Sequence, residues 1–179
     1  GHIAGIGFAA YCDLLEKTIL EMKDGKAPGE AEADPVLEIT EEAYIPDGYI
    51  DNPRYKLELY RRFAEMRYLG KEDLMDEIID RFGNPPDQVV TLWRIAVLRS
   101  ICREIRIAGI AVKRGEVRIS FAEQTLADPE ALLTVIRENG SAAKFRNGKQ
   151  AQLVLRTGRL KTDVLTWLEK TLLRFVRNE

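Results

Sequence analysis

Gly109-Ile110-Ala111-Val112-Lys113-Arg114-Gly115-Glu116-Val117-Arg118-Ile119-Ser120-Phe121 is the stretch that decides the fold class. Upstream of it apolar residues recur every three or four positions, whereas within it they alternate, so a helical period gives way to a strand period of two. Gly115 accepts the positive φ of a tight turn, and the stretch is expected to be a β-hairpin.

Downstream, Asp128-Pro129 opens a helix to about Glu138, since Asp caps free amides and Pro lacks an N–H where none is needed; Asn139-Gly140 closes it. Ala143 to Arg146 and Gln150 to Leu155 flank Asn147-Gly148, the dipeptide best suited to a two-residue hairpin turn. From Thr162 to Arg177, Val164, Leu165, Leu168, Leu172 and Phe175 line one side of a last helix. The order β-β-α-β-β-α predicts an α+β fold: a helical N-terminal section, then an antiparallel sheet of about four strands packed on helices.

Upstream, a long helix is expected from Pro86 or Asp87 to about Ala108, with Arg94, Arg99, Arg103 and Arg106 on its less apolar side. A second helix covers Lys71 to Phe82. A third starts at Asn52-Pro53 and is expected to reach Leu69, with Arg54, Lys56, Arg61, Arg62 and Arg67 as a basic surface. Tyr44 to Ile50, around a Pro-Asp-Gly turn, reads as an extended packed segment. Val36 to Ile39 reads as an isolated strand or an extended arm. Residues 25–35 read as a flexible linker, and residues 8–22 as a helix that needs a surface to pack on. With Gly1 first and no initiator methionine, the chain reads as a piece of a longer protein, Gly1-His2 being native or a cloning scar.

Apolar residues make up 45% of the 179 positions and charged ones 31%, which is enough for a core and rules out a disordered polar chain. No apolar run approaches the ~18 residues of a bilayer span and no leader opens the chain, so a cytoplasmic location away from membranes is expected. Cys12, Cys102 and His2 are too few for a disulfide framework, a Cys/His metal site or a histidine-based triad. Gly5-Ile6-Gly7 lacks the third glycine of a dinucleotide fingerprint, Ala10 standing there. Residues 1–90 hold 10 Lys and Arg against 20 Asp and Glu, and residues 91–179 hold 17 against 9, so the two halves suit partners of opposite charge.

In the Lys71–Phe82 helix, Leu74, Met75, Ile78, Ile79 and Phe82 share one side while Asp73, Asp76, Glu77 and Asp80 lie nearly opposite. Glu77 and Asp80, three apart, are neighbours whose like charges repel unless a cation bridges them. Such a stripe is either a solvated face or a docking surface for Lys and Arg; catalysis by the pair would require a cleft. The turns carry Lys113, Arg114, Arg146 and Lys149. With Arg61 and Arg62 they offer an alternative reading, a stand-alone nucleic-acid-binding domain, against the plainer one of edge protection.

Three runs are familiar: Ala43-Tyr44-Ile45-Pro46-Asp47-Gly48-Tyr49-Ile50, Arg54 to Arg61, and Asp76 to Gly83 followed by Pro85-Pro86 and Val89. Together they resemble the C-terminal domain of bacterial transcription-repair coupling factors. The opening Gly7-Phe8, Tyr11 and Leu14-Leu15-Glu16 resemble the end of that family's RecG-like translocase module. The resemblance implies domains at 1–24 (translocase tail), 25–35 (linker) and 36–179 (regulatory domain). It implies a parent that is an ATP-driven double-stranded DNA translocase, which displaces stalled RNA polymerase and recruits nucleotide excision repair. ATP and Mg belong to that parent. No Gly-x-x-x-x-Gly-Lys-Ser/Thr loop exists here, and no cofactor, metal or catalytic residue is expected in this chain. The resemblance further implies a cap that packs on an N-terminal UvrB-like domain, covers its UvrA-binding surface and restrains the motor. Glu77 and Asp80 fall at that contact, with Asp73 and Asp76 as a wider acidic surface.

Overall fold

The computed structural model describes residues 7–14 and 34–178. Most of the expected linker, and the far part of the first helix with Leu15 and Glu16, lie outside the described residues. The chain divides into two compact units, Gly1–Ala31 with Glu41–Ser100 and Glu32–Thr40 with Ile101–Glu179.

The first unit is helical. Residues 8–14 form the described part of α1, followed by α2 (Pro53–Glu65), α3 (Lys71–Phe82) and α4 (Asp87–Ile105), whose last residues enter the second unit. At the start of α2, Asn52 accepts the Arg54 N–H at 2.9 Å and Pro53 fills the first turn. This helix stops short of the expected Leu69: Met66 turns to ψ 135°, and a 3-10 turn, Tyr68–Gly70, leads into α3. Gly83, at φ 85°, ends α3 by donating its N–H to the Ile79 carbonyl at 2.9 Å. Leu59, Tyr60, Phe63, Leu74 and Ile78 are buried here. The Pro-Asp-Gly segment is fastened at both ends, the Ile45 N–H donating to the Tyr60 hydroxyl at 3.0 Å and the Tyr49 hydroxyl to the Gly83 carbonyl at 2.6 Å.

In the second unit α4 ends at Ile105, three residues before the expected Ala108, because Arg106 adopts φ 57° and breaks the helix directly into β2. The elements are β1 (Val36–Glu38), β2 (Ile107–Lys113), β3 (Glu116–Phe121), α5 (Pro129–Asn139), β4 (Ala143–Arg146), β5 (Gln152–Arg156) and α6 (Val164–Phe175). The sheet has five strands in the order β1-β2-β3-β5-β4, with β1 parallel to β2 and the remaining pairs antiparallel. It is therefore mixed, not a four-stranded antiparallel sheet. The added strand is only three residues long and joins an edge some seventy residues away, which no local periodicity announces. Gly109 makes room for it, since a Cβ there would lie 2.7 Å from the Val36 carbonyl oxygen.

One sheet face is apolar: Ile110, Val117, Ile119, Phe121, Leu153 and Leu155 are buried, as are Leu168, Leu172 and Phe175 of α6, and the Phe121 and Phe175 rings stand 6.1 Å apart. On the other face the register aligns Glu116, Arg118 and Ser120 with Arg156, Val154 and Gln152, and the last two with Lys144 and Arg146. Arg174 of α6 grips Glu138 of α5 through both guanidinium nitrogens, at 2.7 and 2.9 Å. That grip holds the Glu138 carboxyl below its ordinary range and raises Arg174.

Candidate docking surface on an acidic helix

Leu74 and Ile78 anchor α3 by its apolar side and turn its acidic side outward. At 100° per residue, Asp73, Asp76, Glu77 and Asp80 fall within about 100° of arc, and Asp73 and Asp80 are ~10 Å apart along the axis. Their settings differ. The Glu77 carboxylate accepts a hydrogen bond from Arg62 Nη1 of α2, and its side chain is 43% exposed. Asp73, Asp76 and Asp80 are exposed and form no ion pair among the described residues. The Glu77–Asp80 pair is thus not a matched one: Glu77 has a cation of its own and Asp80 has none among the described residues. Arg81, the nearest cation in sequence, lies over the Phe82 and Tyr55 rings, 4.9 and 5.6 Å from their centroids.

The expected basic surface of α2 is smaller than the sequence suggested. Arg62 is engaged with Glu77, and Lys56 points inward, its side chain 1% exposed and its ammonium on the Asp47 carboxylate of the Pro-Asp-Gly turn. Arg54, Arg61 and Arg67 remain exposed. The sequence held the signal for Lys56, which shares the i, i+3, i+4, i+7 stripe of Leu59, Tyr60 and Phe63. On α4, Arg99 is buried and Arg103 pairs with Asp34 at 3.2 Å.

The N-terminal motif has its surface to pack on. Phe8 is buried with its ring 6.3 and 6.4 Å from those of Tyr60 and Phe63, and Tyr11 stacks 5.7 Å from Tyr60. Burial raises the hydroxyl pKa of both tyrosines. Gly7 starts the helix, its carbonyl accepting the Tyr11 N–H at 3.0 Å, and Leu14 is exposed.

The basic turns are not brought together. Lys113 pairs with Glu38 of β1, and it and Arg114 sit at the end of the sheet where Glu116 faces Arg156. Arg146 and Lys149 sit at the other end, beyond the Arg146–Gln152 pair. Among the described residues no group of three or more His, Cys, Asp or Glu side chains could hold a metal ion, and no helix is long and apolar enough to cross a membrane.

A helical unit bearing an acidic helix face, joined to a five-stranded α+β unit, is the class that fold and surface define. The TRCF domain model matches residues 39–132, just over half of the chain. The chain belongs to the TRCF domain family. It is similar to the transcription-repair-coupling factor of Bacillus subtilis (strain 168), 30% identical over 176 residues and 96% of this chain, and to that of Myxococcus xanthus, 31% identical over 142 residues and 78% of this chain. It spans only 15% and 12% of the lengths of those two relatives. Among solved structures it resembles the crystal structure of the C-terminal domain of transcription-repair coupling factor, with TM-score 0.67 and 26% identity, covering 80% of this chain and 90% of that one.

Proposed function

We propose that this chain is the C-terminal regulatory domain of a bacterial, cytoplasmic transcription-repair coupling factor, and that the acidic side of α3 is its latch. In this reading residues 1–24 end the translocase module. The latch closes on Lys and Arg side chains of the N-terminal UvrB-like domain of the same polypeptide, covers the surface that binds UvrA, and restrains an ATP-driven DNA motor that displaces stalled RNA polymerase. The nucleotide chemistry belongs to the motor. One observation carries the reading: Asp73, Asp76 and Asp80 stand exposed in a row without an ion pair among the described residues, while Arg62 steadies Glu77 beside them. Exposed pairs contribute up to ~1 kcal/mol each and weaken with salt, which suits a contact that must open.

The test uses the full-length parent. Glu77→Arg with Asp80→Arg reverses two charges but also breaks the Arg62 pair, so Asp76→Arg with Asp80→Arg is the cleaner variant. Losing two pairs of ~0.5 kcal/mol each shifts the closed–open balance about fivefold, which is expected to raise basal ATPase and UvrA binding. The 179-residue chain with the same changes is expected to keep its circular dichroism. Unchanged ATPase together with unchanged UvrA affinity would refute the latch.

A further inference from the structure

A cavity of about 500 Å³ opens where the β2–β3 turn meets the end of β5, lined by Arg114, Gly115, Glu116, Arg156, Gly158 and Arg159 among others. All three arginines are exposed, and among the described residues none of them forms an ion pair. The one carboxylate in the wall, Glu116, is taken up by Arg118 at 3.5 Å. Three arginines thus line a hollow that no ion pair among the described residues neutralises.

The frame around them is fixed. The Thr157 N–H donates to the Gly115 carbonyl at 2.8 Å, and Arg156 Nη2 to the Ser141 carbonyl at 3.1 Å. Arg114 holds φ 53° in a turn where Asn or Gly would sit with less strain, so a strained backbone carries a side chain on the cavity wall. Three planar forks from separate positions offer more donors than one carboxylate can accept and suit a tetrahedral oxyanion. From Arg156 the same sheet face continues through Arg118 and Lys144 to Arg146, and the aligned residues of β3, β4 and β5 on that face include no aromatic ring on which a base could stack.

We propose that this cavity receives a phosphate group of a nucleic-acid backbone, read without regard to sequence. The site is independent of the latch on α3. Fluorescence anisotropy of the 179-residue chain with a labelled random DNA duplex, between about 50 and 200 mM salt, tests it. Binding is expected with Kd of ~10⁻⁴–10⁻⁶ M near physiological salt. Arg114→Ala with Arg159→Ala is expected to weaken it about tenfold or more and to reduce the log–log salt slope by about one. Arg156 is left intact because its bond to Ser141 supports the frame. Arg137→Ala with Arg177→Ala, which removes the same charge elsewhere, is expected to change affinity less than about twofold. Pyrophosphate is expected to displace the duplex where polyglutamate at equal charge does not.

Equal weakening by the two variant pairs, or no duplex binding at all, overturns the proposal. Pyrophosphate binding without duplex binding overturns it in favour of a free phosphorylated ligand, and stronger displacement by polyglutamate overturns it in favour of an acidic protein.

Discussion

A lysine stem buried among aromatic and aliphatic side chains must still bring its ammonium to a counter-charge, and Lys56 does so at Asp47, which is itself 81% exposed. The pair fixes the Pro-Asp-Gly turn to α2 from the solvent edge of the core. Most of its value therefore lies in the buried methylenes rather than in the ion pair. Lys56→Ala is expected to lower stability by about 2–4 kcal/mol through lost packing, whereas Lys56→Met, which keeps the volume, is expected to cost under ~1.5 kcal/mol. Urea unfolding of both variants checks this, and a larger loss for the Met variant would mean that the charge contributes more than the stem.

Among the elements, β1 depends most on a single residue elsewhere. It has three residues, pairs along one edge only, and lies against a strand whose Gly109 leaves space for the Val36 backbone. The Lys113–Glu38 pair adds a mostly exposed contact at its end. Gly109→Ala is expected to force β1 off the sheet edge, at about 1–3 kcal/mol, with amide protection lost at residues 36–38 and retained in β3 and β5. Hydrogen exchange followed residue by residue reads this, and full protection of residues 36–38 in the variant would contradict it. The helix starts are more local. Asn52, Asp128 and Asp163 each cap their own helix, at 2.9, 3.0 and 3.0 Å, and all three lie where the sequence alone put a helix start or next to it.

At the scale of the whole molecule, ionisation sets how stability follows pH. Glu138 is held below the ordinary carboxylate range chiefly by its hydrogen bonds from Arg174, so it binds a proton less readily folded than unfolded. Its contribution is present above the unfolded carboxylate pKa and is lost as pH falls through the lowered folded value. Tyr60 runs the other way: burial raises its pKa, so the unfolded chain ionises first and stability falls as pH rises past ~10 toward the folded value. Urea midpoints across pH are expected to show a shallower acid limb for Glu138→Gln and a shallower alkaline limb for Tyr60→Phe. The latter also costs about 1–2 kcal/mol at every pH, because the Ile45 N–H loses its acceptor. Limbs parallel to the parent's would exclude these groups as the source.

Local chemistry wrote much of this protein into its sequence. The change of period at residues 109–121, the Asn-Pro and Asp-Pro helix starts and the acidic side of α3 all depend on neighbours within a few positions, which a linear reading contains; the last hairpin falls where Asn147-Gly148 put it, but with five residues between Arg146 and Gln152 instead of a two-residue turn. Tertiary structure alone decided that β1 joins β2 in parallel, that the Lys56 ammonium meets Asp47, that Arg62 takes Glu77 and leaves Asp80 exposed, and that Arg114, Arg156 and Arg159 share one cavity. Each of those outcomes rests on groups that the chain brings together from a distance. Which charge meets which is settled by packing and desolvation, not by spacing along the chain.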